Sequence, residues 1–465
     1  MTSIPQPAPY VPAADIATIA DFLGDPVAAA DFPETKLRFR NDRWAATVGL
    51  DELSDAEWGQ HFGRFAPLEG SLPQPLALRY HGHQFRSYNP DIGDGRGFLF
   101  AQLRDGAGRL LDLGTKGSGQ TPYSRFGDGR LTLKGAVREI LATEMLEALG
   151  VNTSKTFSVI ETGEALHRGD EPSPTRSAVL VRLNHGHIRI GSFQRLATMG
   201  DDDSLRRLCA YALEKYHGEE AGEDAPVRLL THVAQKTADL AASYMVAGFV
   251  HGVLNSDNIN ISGESFDYGP WRFTPKFEPG FTAAYFDERG LYAFGRQAEA
   301  IHWDVVQLAI ALTRIADQDA LVEAVNGYEP AYRAGLVRLM LWRLGVKSLG
   351  ESEDVALVQA IEQGLTAQTV EIDRFFFDWT GGARRGVSPA DAAYDGEAFA
   401  PFTTAIARFE SARALDHPYL AGANPCSMHI EEVESLWKSI ADSDDWGPLH
   451  TKVATIREMG AALSG

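Results

Sequence analysis

The sequence predicts an α+β protein with a bilobal, protein-kinase-like fold: a β-rich N-lobe with one key helix, followed by a helical C-lobe. Three observations carry this. Strand-like runs separated by turn residues concentrate between residues 76 and 200. From about residue 201 apolar residues recur at helical spacing. Within that helical half lies His251-Gly252-Val253-Leu254-Asn255-Ser256-Asp257-Asn258, followed by Asp267-Tyr268-Gly269. Kinases use H-x-D-x-x-x-x-N and then D-x-G in this order. Here Val253 stands where the kinase base would be, so the fold is either that of a dead kinase (a pseudokinase) or one that runs a different phosphate reaction.

The 465 residues suit two packed lobes with extensions rather than one average domain. Residues 1–75 read as an irregular N-terminal extension with short helical pieces, and 76–200 as the N-lobe with a nucleotide-binding loop. Residues 201–390 read as the helical C-lobe with the catalytic and metal loops, and 391–465 as a C-terminal helical extension. Lys and Arg total 43 against 63 Asp and Glu, a net charge of −20, which argues against non-specific nucleic-acid binding. The two cysteines, Cys209 and Cys426, lack CxxC spacing, so neither a disulfide scaffold nor a cysteine zinc site is expected. No apolar run is long enough to span a membrane, and the proline-rich start has no basic residue before Lys36. A cytoplasmic monomer is the expectation.

Along the N-lobe, Gly97–Leu103 and Leu110–Lys116 flank a turn at Asp105-Gly106-Ala107-Gly108 and read as a hairpin. Residues 134–149 place Val137, Ile140, Leu141, Met145, Leu146 and Leu149 on one helical stripe. Further strands are expected at 155–161 and 177–183. In the C-lobe a long helix from Leu229 to Val250 runs into His251, and a second helical group spans about 300–346. The stretch 380–398 reads as a loop.

Five elements occur in kinase order. Gly93-Asp94-Gly95-Arg96-Gly97 lies between strands, where glycines let backbone N–H groups approach phosphate oxygens and Arg96 adds charge; a plain hairpin turn would use the same residues. Lys116 ends a strand, where it can hold a phosphate. Glu139 lies on the helix and can pair with Lys116. Asn258 and Asp267 offer the hard oxygen donors that suit Mg²⁺ or Mn²⁺ beside phosphates. Asp257 returns a carboxylate four residues after Val253. It can deprotonate an attacking hydroxyl, or simply stabilise the loop as an Asx turn. Arg182 and Arg189 can clamp phosphates in bidentate fashion or form salt bridges. The pairs His81/His83 and His185/His187 have neither HExxH spacing nor cysteine support for a zinc site.

With these residues in order, the chain resembles the selenoprotein O (SelO, also YdiU) family of protein adenylyltransferases. The resemblance runs from about Leu76 to Leu312 through RYHGHQF, GDGRG, TKGSGQTPYSRFGDGRLTLKGAVREIL, VRLNHGHIRIGSFQ, HGVLNSDN, DYGP and LYAFGRQ. It implies transfer of AMP from ATP to protein hydroxyl side chains with release of pyrophosphate, the nucleotide being turned relative to kinases. It further implies nucleotide contacts at Gly93, Gly95, Arg96, Lys116, Asp128, Gly129, Arg182 and Arg189, with Asp257 as proton acceptor, Asn258 and Asp267 as metal ligands and Glu139 as the helix glutamate. Arg86 stands where family members commonly have glycine, no cysteine follows Asp267 closely, and the end from about residue 400 shows little of the pattern. Two other functions fit the loop: a phosphotransferase of the aminoglycoside-kinase type, which Val253 disfavours, and a silent ATP-binding scaffold, which Asp257, Asn258 and Asp267 together disfavour.

Overall fold

A sheet of nine antiparallel strands organises the first half of the computed structural model, which describes residues 6–169 and 171–465. In chain order the strands are β1 (Pro12–Ala13), β2 (Gly24–Pro26), β3 (Lys36–Arg40) and β4 (Leu76–Leu78), then a separate hairpin of β5 (Gly82–Gln84) and β6 (Ser87–Asn89). The sheet resumes with β7 (Leu99–Arg104), β8 (Leu110–Lys116), β9 (Leu131–Thr132), β10 (Lys155–Leu166) and β11 (Thr175–Asn184). The spatial order is β2-β4-β7-β8-β11-β10-β3, with β1 on β7 and β9 on β11. The expected hairpin is β7–β8, in register from Leu99↔Gly114 to Arg104↔Leu110.

Period-2 alternation is clearest on β11, which is buried on both faces. Ala178 and Leu180 join the core under the Leu133–Ala148 helix, whereas Val179, Val181 and Leu183 join a second core with Trp58, Phe62 and Phe157. That second core corrects the reading of residues 1–75 as an irregular leader. The leader supplies three strands, and its Asp55–Phe62 helix, closed by a Ser54/Glu57 capping box, covers the sheet face opposite the Leu133–Ala148 helix. Strands of two to five residues are too short for alternation to reveal them.

The Leu133–Ala148 helix starts at Thr132, whose hydroxyl accepts from the Gly135 amide, and lies buried against β10 and β11. Helical structure begins at Ile190, earlier than the expected 201, with Ile190–Met199, Asp202–His217 and Ala225–Ala247. The last of these stops at Gly248 rather than Val250, because Gly248 adopts the left-handed C-cap (φ 70°) that ends a helix. The chain then forms the short ribbon β12 (Phe249–Val250) with β13 (Arg272–Phe273), and this ribbon brackets residues 251–271. Gln297–Leu312, Gln318–Asn326, Tyr328–Leu344 and Glu351–Thr366 complete the helical half. The C-terminal helices Ile430–Ser443 and Gly447–Ser464 return to the Leu133–Ala148 helix, through Lys134–Glu434 (2.7 Å) and Arg457–Glu144 (2.6 Å). Among the described residues no helix is long and apolar enough to cross a membrane. Cys209 and Cys426 are free and buried.

Candidate active site

A cleft of about 690 Å³ opens where the sheet meets the 251–271 segment. Gly93, Gly95, Arg96, Lys116, Asp128, Gly129, Arg182, Arg189, Asp257, Asn258 and Asp267 all line it, as does Val253. Glu139 lies behind the wall, in contact with Lys116.

The sheet pleat places the cations. Lys116 and Leu180 are register partners, as are Gly114 and Arg182, so Lys116 and Arg182 share a face. Gly114 is required between them: a Cβ there would lie 1.9 Å from Nε2 of His187, which accepts from Arg182 Nε at 3.2 Å. Lys116 Nζ bonds Glu139 Oε1 and lies 3.4 Å from Asp267 Oδ1. Arg182 Nη1 donates to Asp267 Oδ1 and Arg189 Nη1 to Asp267 Oδ2, each at 3.2 Å. Burial alone would raise the Asp267 carboxyl; Arg182, Lys116 and Arg189 together hold it well below the usual range. Asp267 sits at φ 65°, a left-handed conformation uncommon outside glycine, and the three cations hold it there.

The 251–258 loop is fixed from both sides. His251 donates its amide to Gln297 Oε1 (3.0 Å), and its Nε2 bonds the Phe266 carbonyl (3.0 Å). Asn258 Nδ2 donates to the Val253 carbonyl (3.1 Å), so its amide oxygen is the end left for another partner. The β5–β6 hairpin straps the loop: the His83 amide donates to Ser256 Oγ (2.8 Å) and the Phe85 amide to Asn255 Oδ1 (3.0 Å). Asp257 is 7% exposed, and its buried Oδ1 has no hydrogen-bond partner among the described residues. Burial pushes its carboxyl up to about 6, with the Arg189 charge opposing. Gly82 permits the close approach, since a Cβ there would lie 3.0 Å from Asp257 Oδ1.

The glycines of GDGRG are packed closely by the protein itself. A Cβ on Gly93 would meet the Tyr123 ring at 2.5 Å, one on Gly95 the Tyr123 carbonyl at 2.9 Å, and one on Gly97 the Thr115 carbonyl at 2.1 Å. They let this loop and the 121–129 segment close together beside Lys116. Asp128 pairs with Arg168 (2.8 Å) at the exposed rim, and both line the cleft.

Two residues that the motifs did not single out complete the site. Asp94 is buried, accepting from Arg189 Nη2 (3.2 Å) and from the Leu78 amide (3.1 Å). Gln84 lines the same cleft as Asp257 and is held in place by Asn89 Nδ2, which donates to its Oε1 (2.9 Å). His187 supports Arg182, while the other three histidines are engaged elsewhere: His83 with Gln194, His185 with the Leu110 carbonyl, His81 with Tyr88.

The donor chemistry fits a hard cation. No group of three His, Cys, Asp or Glu side chains suited to a metal occurs among the described residues. Asn258 and Asp267 are nevertheless oxygen donors beside a cleft lined with Lys116, Arg96, Arg182 and Arg189. Mg²⁺ typically takes one or two such protein ligands and fills its shell with water and substrate phosphates.

The chain is similar to known proteins along most of its length. A family model described as protein adenylyltransferase SelO matches residues 10–457. That span corrects the narrower match read from motifs and takes in the strands before residue 76 and the helices after residue 400. Relatives described as protein nucleotidyltransferase YdiU include one from Synechococcus elongatus, 42% identical over 97% of this chain and 95% of its own length. Another, from Synechocystis sp., is 40% identical over 96% and 98%. A third, from Gloeobacter violaceus, is 42% identical over 97% and 95%.

Proposed function

The chain belongs to the SelO family of protein adenylyltransferases, and from that premise we propose how its residues carry out the transfer. The enzyme is a nucleotidyltransferase with ATP as substrate and proteins as acceptors. In the proposed arrangement the sheet and the helical half are the two lobes of a kinase-like fold, and ATP lies between them in the cleft, its phosphates turned inward. Arg182, Arg189 and Lys116 hold the β- and γ-phosphates through charge-assisted bonds. Asp128, Gly129, Gly93, Gly95 and Arg96 receive the remainder of the nucleotide. Asn258 and Asp267 would hold Mg²⁺ or Mn²⁺, which when bound neutralises charge on the phosphates.

The acceptor is a Ser, Thr or Tyr hydroxyl. Its oxygen attacks the α-phosphorus, the α–β phosphoanhydride bond breaks, and pyrophosphate leaves. Asp257 takes the hydroxyl proton. A carboxyl pushed up to about 6 by burial is still ionised near neutral pH and is a stronger base than an exposed one. Gln84 lines the same cleft. Lys116 is kept in place by Glu139, and Asp94 fixes Arg189 from the side away from Asp267.

The observation that carries this reading is the convergence of Lys116, Arg182 and Arg189 on Asp267, with Val253 where a kinase base would stand and Asp257 buried in the adjoining wall. The test is to identify the products. Incubated with ATP and a hydroxyl-bearing acceptor protein, the enzyme should release pyrophosphate and raise the acceptor mass by one AMP. ADP together with a mass gain of one phosphate would overturn the proposal.

A further inference from the structure

Three aromatic rings lie exposed in one patch beside the Asp257 loop. Phe85 is 40% exposed, Phe286 46% and Tyr285 87%. Their rings touch in series, Phe85 to Phe286 at 5.9 Å and Phe286 to Tyr285 at 5.1 Å between centroids. Single exposed apolar residues are common and need no account, whereas a contiguous aromatic patch marks an interaction surface.

The patch is displayed rigidly at a backbone cost. Phe85 and Arg86 are the two loop residues between β5 and β6, at φ 50° and 62°. Two consecutive positive φ values define the tight hairpin turn that normally takes Asn-Gly. Arg86 is held there by Glu299 (3.1 Å) and by the Trp303 ring (5.5 Å). On the other segment, the buried Asp287 carboxylate accepts from the Leu291 and Tyr292 amides, both at 2.8 Å, and fixes the turn that projects Tyr285 and Phe286. Both pieces are tied to the loop that carries the base. Asn255 Oδ1 accepts from the Phe85 amide (3.0 Å) and from the Tyr292 hydroxyl (2.7 Å), and the Tyr292 ring packs on Phe85 at 5.1 Å. Gln84, next to Phe85, lines the same cleft as Asp257.

We infer that Phe85, Tyr285 and Phe286 form a ledge that docks the acceptor segment of the target protein by seating an apolar side chain two or three residues from the hydroxyl. The inference rests on the adenylyl-transfer reading of the same site. A hydroxyl delivered to Asp257 enters the cleft that Gln84 lines, and the next residue, Phe85, begins the patch. Consecutive Cα atoms are about 3.8 Å apart, so a residue two or three places along an extended segment lies roughly 7–11 Å away. The ledge offers such a residue ring faces, and Arg86 beside Phe85 is already engaged by Glu299. Rigid aromatics of this kind dominate protein-contact energetics because little side-chain freedom is lost on binding.

The test uses two synthetic peptides with one central tyrosine, identical except that leucines or alanines occupy the positions two and three residues to either side. AMP transfer from α-labelled ATP and calorimetric binding are both read for wild type, Tyr285→Ala, Phe286→Ala and the double variant. Wild type should prefer the leucine peptide by about tenfold in kcat/KM, the worth of burying part of one apolar side chain. The double variant should bring that ratio near one with its ATP affinity at the wild-type value. A ratio that survives both substitutions, or no preference in wild type, overturns the ledge. If no peptide takes α label while the leucine peptide still binds in a Tyr285- and Phe286-dependent way, the ledge stands and the transfer reading falls. Equal binding of both peptides would remove the ledge whatever the chemistry.

Discussion

Arg182 and Arg189 should prove strongly interdependent, because they share Asp267. Arg189 is 2% exposed and donates to Asp267 Oδ2 (3.2 Å), Asp94 Oδ1 (3.2 Å) and the Asp257 carbonyl (2.9 Å). Breaking a buried pair by removing one partner costs about 3–5 kcal/mol, so Arg189→Ala should destabilise by roughly 4 kcal/mol. Arg182 makes one bond to Asp267 (3.2 Å), and Asp267 keeps Lys116 and Arg189 when it is lost. The cost of Arg182→Ala should therefore be nearer to one charge-assisted bond, about 2 kcal/mol. The double variant leaves Asp267 with Lys116 alone, which Glu139 also holds, and it relieves the arginine–arginine repulsion only once. Its cost should exceed the sum of the singles by about 1 kcal/mol or more. Adding Asp267→Asn to the double variant should recover stability, because the buried charge is then gone. Urea unfolding of wild type and the four variants checks this. Additivity within about 0.5 kcal/mol, with no recovery from Asp267→Asn, would refute the shared-carboxylate account.

Asp257→Asn should lower the rate of AMP transfer by about 10²–10⁴-fold while ATP affinity stays within about twofold, as expected of a base that acts in the transition state; equilibrium binding and single-turnover rates separate the two. Asn258→Ala should raise the Mg²⁺ or Mn²⁺ concentration for half-maximal transfer by at least about tenfold, and transfer should stop in excess chelator. Glu264, buried and accepting from the His185 amide (2.7 Å), has its carboxyl pushed up to about 7 by burial. Its contribution to stability is complete below the unfolded carboxyl range and is lost as pH rises through about 7. Relative to wild type, Glu264→Gln should therefore gain about 3 kcal/mol between pH 5 and pH 8, read from urea midpoints across that range; parallel pH curves would contradict it.

Much of the site was legible because its chemistry is local or regularly spaced. The turn residues before β8, the stripe on the Leu133–Ala148 helix and the kinase-like order of the 251–258 loop and Asp267 suffice to locate Lys116, Glu139 and Asp267, and the structure brings them into contact. What escaped depends on distant pairing. Asp94 reaches Arg189 across 95 residues, and inside a glycine motif it reads as a turn residue. Gln84 reaches the cleft only because the β5–β6 hairpin folds over the 251–258 loop. The strands before residue 76 are too short to alternate, and their burial becomes visible only once Trp58 and Phe62 stack on Phe157. The C-terminal helices carry no site motif; their tie is the buried Glu144 that Arg457 meets from 313 residues away.

Supplying the enzyme in parallel with ATP labelled at the α- and at the γ-phosphate tests the central claim most directly, with an acceptor protein present and with wild type beside Asp257→Asn. Label should enter protein from the α position only, and that signal should fall by at least about a hundredfold in Asp257→Asn. Label entering from the γ position, or an α signal that Asp257→Asn leaves intact, would contradict the account.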